Sequence, residues 1–436
     1  MKKLLPALMI VLLVFAWYSF FSGTVDRNAT HNEWIQKAEE SVGDTLYEQA
    51  IEYYKESLRY GASEDIYLLI KQIYDTLYEE EHTAFFRNCY IEDMAAAAFA
   101  YPDNEVFWLA QVELYKEEQN FNQAFYTLKD AMNRGVTSEK IQSMYKELLY
   151  KVKTDYKQYT GFKTALNGYI AVNDGGNWFV TDNEGEPVTS NYKFAGLIND
   201  DGKGIYTNSI DARLLDRTEV TRARFDIEVE EAGYYNENVD LVPVKADGVW
   251  KYMNTAGEFL PGEFESAGSF YGEQAAAKTK SGWVTVDTAG TQKKLNFEDV
   301  KLDLYGCHIQ NEIILAKRDG KYHLYDMSLT QIGDFAADDI DICVDPMGIA
   351  FQQNGKWGFV NSEGTIIVAP QYTKAKSFAN GYAAVCNEKG LWGFINDEFE
   401  LVIDYTYLDA HYFTADETCL VSEEEGTVQF MEFVFE

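Results

Sequence analysis

The sequence predicts a multidomain α plus β chain: an apolar N-terminal helix, a stack of amphipathic helices, then an all-β domain built from a repeat. Three observations predict it. Residues Leu4 to Phe21 carry no charge. From about 34 to 158, apolar side chains recur at helical spacing. From Gly168 onward short alternating runs are separated by Gly, Asn and Asp turns, and the runs repeat. The 436 residues suit two or three domains at about 150 per domain, and 46% hydrophobic content is enough for packed cores.

Charge and cysteine usage narrow the function classes. Acidic side chains number 71 against 37 basic, a formal net charge of −34. Such a field repels polyanions, which argues against DNA, RNA and unaided anionic lipid as partners. The same acidity suits a soluble surface or one that attracts a basic partner, and does not choose between them. The five cysteines, Cys89, Cys307, Cys343, Cys386 and Cys419, are scattered, odd in number and form no CxxC pair. The five histidines form no HxH or HExxH. Buried free thiols are expected, with neither a disulfide framework nor a zinc site.

The first element is residues 1–25. Eighteen uncharged residues at about 1.5 Å each span about 27 Å, close to a hydrocarbon core. The apolar side chains Leu4, Leu5, Ile10, Leu12, Leu13, Phe15, Trp17 and Phe21 form the expected anchor, with aromatics crowding its far end. A cleaved signal peptide would want a shorter run and small residues at its exit, whereas this exit is bulky. Lys2 and Lys3 place the N-terminus in the cytosol, so the bulk of the chain is expected outside a single-pass cell-membrane anchor. Secretion after cleavage is the alternative.

A linker over 26–33 leads to the helical segment, 34–158. Gly43 to Tyr54 resembles the tetratricopeptide repeat, a helix pair of about 34 residues with small residues where helices cross. One unit places Trp34, Ala38, Ala50 and Tyr54 at the signature positions. Another places Trp108, Tyr115, Ala124, Leu128 and Ala131 there, with Asn120 to Gln123 as its turn. Ala50 and Ala124 lie 74 residues apart, so a degenerate unit fits between them, ending near Pro102. Lys140 to Val152 reads as a closing helix. The resemblance implies a concave surface that holds peptides. The line Tyr47, Tyr53, Tyr54, Tyr60 offers a candidate surface, with plain helix packing the favoured explanation.

The final element, 163–436, is dominated by repetition. Gly355-Lys356-Trp357-Gly358-Phe359-Val360-Asn361 recurs 35 residues on as Gly390-Leu391-Trp392-Gly393-Phe394-Ile395-Asn396. Drifted copies stand at Trp178, Trp250 and Trp283, and Tyr322 replaces the tryptophan in another. This resembles the WG-repeat (KWG) family. The stretch from Gly202 to Glu231 departs most from the pattern: Gly202 to Asn208 matches out of phase, which leaves the unit count open by one. The domain starts with the end of a unit, Gly168 to Val172, and stops with the start of one, Val428 to Phe435. Half-units that complete one another predict a closed β-propeller of seven or eight blades, with an open β-hairpin array as the alternative.

No catalytic constellation stands out. GxSxG, GxxxxGK[ST] and GxGxxG are absent from strand–turn–helix contexts. With 71 acids, paired carboxylates arise by chance and imply no glycosidase geometry. Asp334, Asp338, Asp339, Asp341 and Asp345 offer oxygens to a Ca²⁺ ion but lack the spaced loop pattern, so a solvated acidic loop is favoured. The repeated tryptophans suit packing better than sugar stacking, because one recurs at the same place in each unit. The expected function is therefore non-enzymatic and without cofactors. The reading is an anchored extracytoplasmic interaction scaffold for a protein or peptide, with cell-wall polysaccharide binding as the alternative. An enzyme built on the propeller would need acids converging at its central channel.

Overall fold

A computed structural model describes residues 27–80, 82–163, 169–182, 185–199, 202–208 and 211–435. The expected anchor, Leu4 to Phe21, lies outside them. Among the described residues no helix is long and apolar enough to cross a membrane. The chain divides between Leu149 and Tyr150 into a helical unit, which also takes in Phe435, and a β unit.

Among the described residues seven helices build the first unit: α1 (27–43), α2 (Tyr47–Leu58), α3 (Glu64–Glu80), α4 (Ala84–Ala100), α5 (Glu105–Glu117), α6 (Phe121–Asn133) and α7 (Glu139–Leu149). From α2 to α7 each packs on the next. Methyl-sized side chains allow the close approach: Ala38, Ala50, Ala97, Ala124 and Ala131 are fully buried. Side chains satisfy exposed amides where helices start: Thr83 accepts from the Phe86 amide, Asn104 from Val106 and Asn120 from Gln123. Buried Asp93 on α4 ties three helices, accepting from Lys55 Nζ on α2 at 2.9 Å and from the Tyr74 hydroxyl on α3 at 2.7 Å.

The second unit consists of eight antiparallel sheets. Blade 1 holds Gly161–Lys163, Tyr169–Asn173 and Trp178–Asp182; blade 2 holds Phe194–Ala195, Gly204–Thr207, Ala212–Leu215 and Thr221–Phe225. Blade 3 holds Glu231–Ala232, Val242–Ala246 and Val249–Met253; blade 4 holds Ser266–Ala267, Gln274–Thr279, Gly282–Asp287 and Gln292–Lys294. Blade 5 holds Asp299–Val300, Ile313–Arg318 and Lys321–Asp326; blade 6 holds Asp339–Ile340, Ile349–Gln353, Lys356–Val360 and Ile366–Tyr372. Blade 7 holds Lys374–Ala375, Tyr382–Cys386, Trp392–Asn396 and Leu401–Tyr407. Blade 8 holds Asp409–Ala410, Thr418–Ser422 and Gln429–Phe433, completed by Val152–Thr154 from the start of the unit.

The apolar clusters turn these sheets into a ring, since eight of them are each shared by two consecutive blades and another joins Ile342, Ala379 and Tyr412 of blades 6, 7 and 8. Ala350 and Phe359 of blade 6, for instance, pack with Ala383, Val385 and Ile395 of blade 7. The circuit closes where Leu420 and Phe430 of blade 8 pack with Ile170, Val172 and Phe179 of blade 1. The fold is thus an eight-bladed β-propeller.

Four expectations need correction. The linker expected over 26–33 is helical from residue 27, as the start of α1. The closing helix stops at Leu149, and Val152 opens a strand, so the segment expected to be helical to 158 ends earlier. The ring is sealed by Val152–Thr154, paired antiparallel with Met431–Phe433, and not by Gly168 to Val172. Tyr169–Asn173 instead sits inside blade 1, between Gly161–Lys163 and Trp178–Asp182. The stretch that looked degenerate is a complete blade 2. Gly202 to Asn208 matched out of phase because Gly204–Thr207 is the second strand, whereas the repeat motif occupies the third. Its many charges pair at the blade edge, Arg213 and Arg224 with Asp211 at 3.1 and 3.2 Å, and Arg222 with Asp216 at 2.6 Å.

Lys153→Pro removes an amide from the closing ladder opposite Glu432. The expected outcome is a lower urea midpoint, by about 1–3 kcal/mol of unfolding free energy, measured by tryptophan fluorescence. Lys280→Pro, in the turn between the middle strands of blade 4, is the control at a non-sealing place.

Candidate interaction surfaces

The repeat motif does its work inside the blades. Trp283 and Trp392 are buried, and Trp178, Trp250 and Trp357 are half-buried against clusters between blades. Tyr322, which stands for the tryptophan in blade 5, is buried and donates its hydroxyl to Asp299 at 2.5 Å. The glycine that follows tryptophan has a specific cause. A Cβ on Gly358 would lie 2.3 Å from the Val368 carbonyl oxygen, and one on Gly393 2.5 Å from that of Ile403. At both places the outer strand shifts register past the Trp-Gly step. Blades 6 and 7 accordingly carry seven-residue outer strands, whereas in blades 1, 3 and 5 the outer segment makes only isolated bridges.

Two further roles escaped the sequence reading. The Asn or Asp that ends each motif folds the next turn: Asp287 Oδ1 accepts from the Ala289 and Thr291 amides, Asp326 Oδ1 from Ser328 and Thr330, and Asn361 Oδ1 from Glu363 and Thr365. Its recurrence in every quoted copy was the available signal. Asparagines at the turn before the second strand also stitch blades together. The Asn236, Asn311 and Asn380 amides donate to the carbonyls of Phe270, Cys343 and Phe413 in the next blade, at 2.9, 2.9 and 2.8 Å.

In the helical unit the repeat-signature residues Trp34, Ala50, Tyr54, Trp108, Ala124 and Ala131 lie on packed helices, and all but half-buried Trp34 are buried. The tyrosine line divides: Tyr54 is buried, Tyr60 is exposed, and Tyr53 packs tilted against Trp34 with ring centres 5.4 Å apart. A cleft of about 600 Å³ opens elsewhere, between α4, α5 and α6. Its room comes from Ala95 and Ala98, whose methyl groups leave α4 low on that side. Phe99 is 75% exposed and Tyr126 52% exposed at its edges, an expensive arrangement for two large rings. Arg134 sits 5.8 Å from the Phe99 ring centre and 5.7 Å from that of Trp108, and Lys129 sits 5.9 Å from that of Tyr126. Asp130 pairs with Arg134 at 3.4 Å, which leaves the cleft net positive in a strongly acidic chain.

The acidic run is already engaged by protein donors. Asp338 takes Lys321 and the Asn354 amide, Asp339 takes Lys301 at 2.9 Å, and Asp345 takes the Met347 amide. Asp341 accepts from the Ser377 amide and from the Tyr412 hydroxyl at 2.7 Å, which joins blades 6, 7 and 8. Among the described residues no group of acids, His and Cys is arranged to hold a metal. Burial pushes the Cys343 and Cys419 thiols up to about 12, which suits inert packing groups. Burial lowers His308 to about 4, and burial with nearby Lys376 lowers His411 to about 4. Asp303 goes the other way, raised by burial to about 6.

A family model described as "WG containing repeat" matches residues 357–390 and 392–424, the stretches that begin at the two Trp-Gly tryptophans. No curated protein matches the chain in sequence. Among solved structures the chain is similar to the Neurospora crassa Pan2 WD40 domain, at 10% identity over 64% of this chain and 90% of that one, TM-score 0.35. It is also similar to a eukaryotic initiation factor, at 12% identity over 62% and 82%, TM-score 0.39. A third is PorZ, a surface component of the type-IX secretion system of Porphyromonas gingivalis, at 11% identity over 64% of this chain and 37% of PorZ, TM-score 0.34. The eight-bladed architecture stands on the strand pairing and shared cores of this chain.

Gly358→Ala and Gly393→Ala should each cost about 1–3 kcal/mol, because backbone rather than a yielding side chain meets the added methyl. Thermal unfolding measures it, and Gly43→Ala, where the space is open, is the control. Acid should destabilise the propeller through its histidines. Unfolded His protonates near 6.5 while folded His411 and His308 resist until about 4, so their share of stability is lost as pH falls from 6.5 to 4. Asp303 opposes this in part, since its penalty appears as pH rises from 3.8 through 6. Urea midpoints of wild type and His411→Gln should therefore converge as pH falls through this window.

Proposed function

We propose that the chain is a membrane-anchored, extracytoplasmic interaction scaffold that holds a peptide segment of a partner protein in the α4–α5–α6 cleft. The observation that carries this is the cleft itself: exposed Phe99 and Tyr126 flank an alanine-floored opening, with Arg134 and Lys129 beside the rings. Two such aromatics gain about 1.5–3 kcal/mol each when covered, enough to anchor a short segment. Resemblance of the helix pairs to tetratricopeptide repeats supports the same use, and propellers commonly serve as interaction platforms. The location rests on Met1-Lys2-Lys3 and the uncharged run behind it. Polysaccharide binding gains no specific observation, because the propeller tryptophans are wholly or half buried between blades.

The test is selection of a phage-displayed random peptide library on the full chain in detergent, followed by titration of the selected peptides. Phe99→Ala and Tyr126→Ala should each weaken binding about 5- to 30-fold, following the aromatic burial lost. Selected peptides indifferent to both variants, or retention only on purified wall glycan, would overturn the reading.

A further inference from the structure

In each antiparallel blade the first-to-second and third-to-fourth turns share one end, while the second-to-third turn lies at the other. The two ends differ sharply in blades 5, 6 and 7. The arc is formed by the turns 327–331, 343–348, 361–365, 377–381 and 397–400, and the connection 301–312 of blade 5 lies at the same end. These turns adjoin: the Ser362 amide donates to Pro346 O, the Phe378 amide to Gly348 O, and the Phe378 and Phe399 rings meet edge to face at 5.8 Å. Met347 is 69% exposed and Met327 56% exposed there, joined by exposed Ile366, Phe399 and Leu401. That is a large apolar surface to leave in water on one arc.

Charge on these turns is predominantly negative. They carry Asp345, Glu363, Asp397, Glu398 and Glu400, while the first-to-second connections of blades 5 and 7 add Lys301, paired with Asp339, and Lys376, set over the Tyr412 ring. Most other cations of the same blades sit at the opposite end: Lys317, Arg318 and Lys321 flank one second-to-third turn, Lys356 follows another, and Lys389 lies in the third.

We propose that this arc is a docking surface for a basic amphipathic segment of a partner protein, whose apolar side chains cover Met327, Met347 and Phe399 while its Lys and Arg meet the acidic turns. Charge complementarity selects that occupant: an acidic or neutral apolar segment would bury or crowd five carboxylates without compensation. Methionine suits the role, since its flexible thioether moulds to different apolar partners. The arc is a second surface, of opposite sign to the helical cleft, and does not depend on it.

The experiment uses the full chain in detergent and two fluorescein-labelled amphipathic peptides of about 14 residues, one built of Lys and Leu, the other of Glu and Leu. Fluorescence anisotropy at about 0.15 M salt should show the Lys/Leu peptide bound at least about tenfold tighter than its mirror. Met327→Ser with Met347→Ser should weaken it at least about fivefold, and Glu363→Lys with Glu398→Lys at least about tenfold. Glu424→Lys with Glu425→Lys, in the second-to-third turn of blade 8, should change it less than about twofold. Equal loss in that control would reduce the effect to bulk charge and overturn the proposal, as would equal binding of the two peptides. Sedimentation showing a dimer that Glu363→Lys with Glu398→Lys dissolves would overturn the foreign occupant in favour of a second copy. Phe99→Ala should leave Lys/Leu binding unchanged, which separates this surface from the cleft.

Discussion

The β unit depends on the pairing of Val152–Thr154 with Met431–Phe433. Eight apolar clusters of the ring are each shared by two neighbouring blades, so no blade buries its faces alone. In an open ring the cluster of Tyr159, Ile170, Val172, Phe179, Leu420 and Phe430 would lose one wall, and six large side chains would meet water. At about 1.5–3 kcal/mol per large apolar side chain, that exposure is comparable to the whole stability of a typical domain. A three-residue strand can hold such a closure because its backbone bonds fix the register and the cluster supplies the energy.

Within that constraint the repeat solves a local problem, how a blade's outer strand can lie close to the strand beneath it. Where glycine follows the tryptophan, the outer strand bulges onto the vacant Cβ position and runs for seven residues. Where Lys251, Val284 or His323 takes that place, the outer strand is shorter or breaks into isolated bridges. Strand length at the rim thus follows from one side chain per blade. The two matches to the family model start at the Trp-Gly strands of these two blades.

This explains which parts of the fold were legible in the sequence. Helical spacing with small residues at crossings is a local pattern, and Ala50, Ala124 and Ala131 are buried where it placed them. The Trp-Gly motif is equally local, whereas the ring was inferred from half-units at the two ends of the domain, of which Gly168 to Val172 is not the sealing one. The sealing strand was not legible, because Val152-Lys153-Thr154 has no signature of its own and its partner lies at the far end of the sequence. Blade 2 was misread for a different reason. Its third strand, Ala212–Leu215, lacks both tryptophan and glycine, and only Asp216, accepting from the Thr218 and Val220 amides, keeps the motif's last position. The surfaces were less legible still. Phe99 and Tyr126 look like core residues in sequence, and exposure is decided by which neighbours are alanine.

The distribution of charge follows from the same geometry. Asp and Asn are required where the third strand ends, because their side chains fold the following turn. Those positions all fall at one end of the ring, which becomes acidic as a by-product of turn chemistry, and Lys there would supply no acceptor. The additional acids Glu363, Asp397 and Glu398 are not the residues that fold these turns, and neither are exposed Met327 and Met347. Turn formation therefore accounts for the sign of that end, while the exposure of Met327 and Met347 follows from no turn requirement.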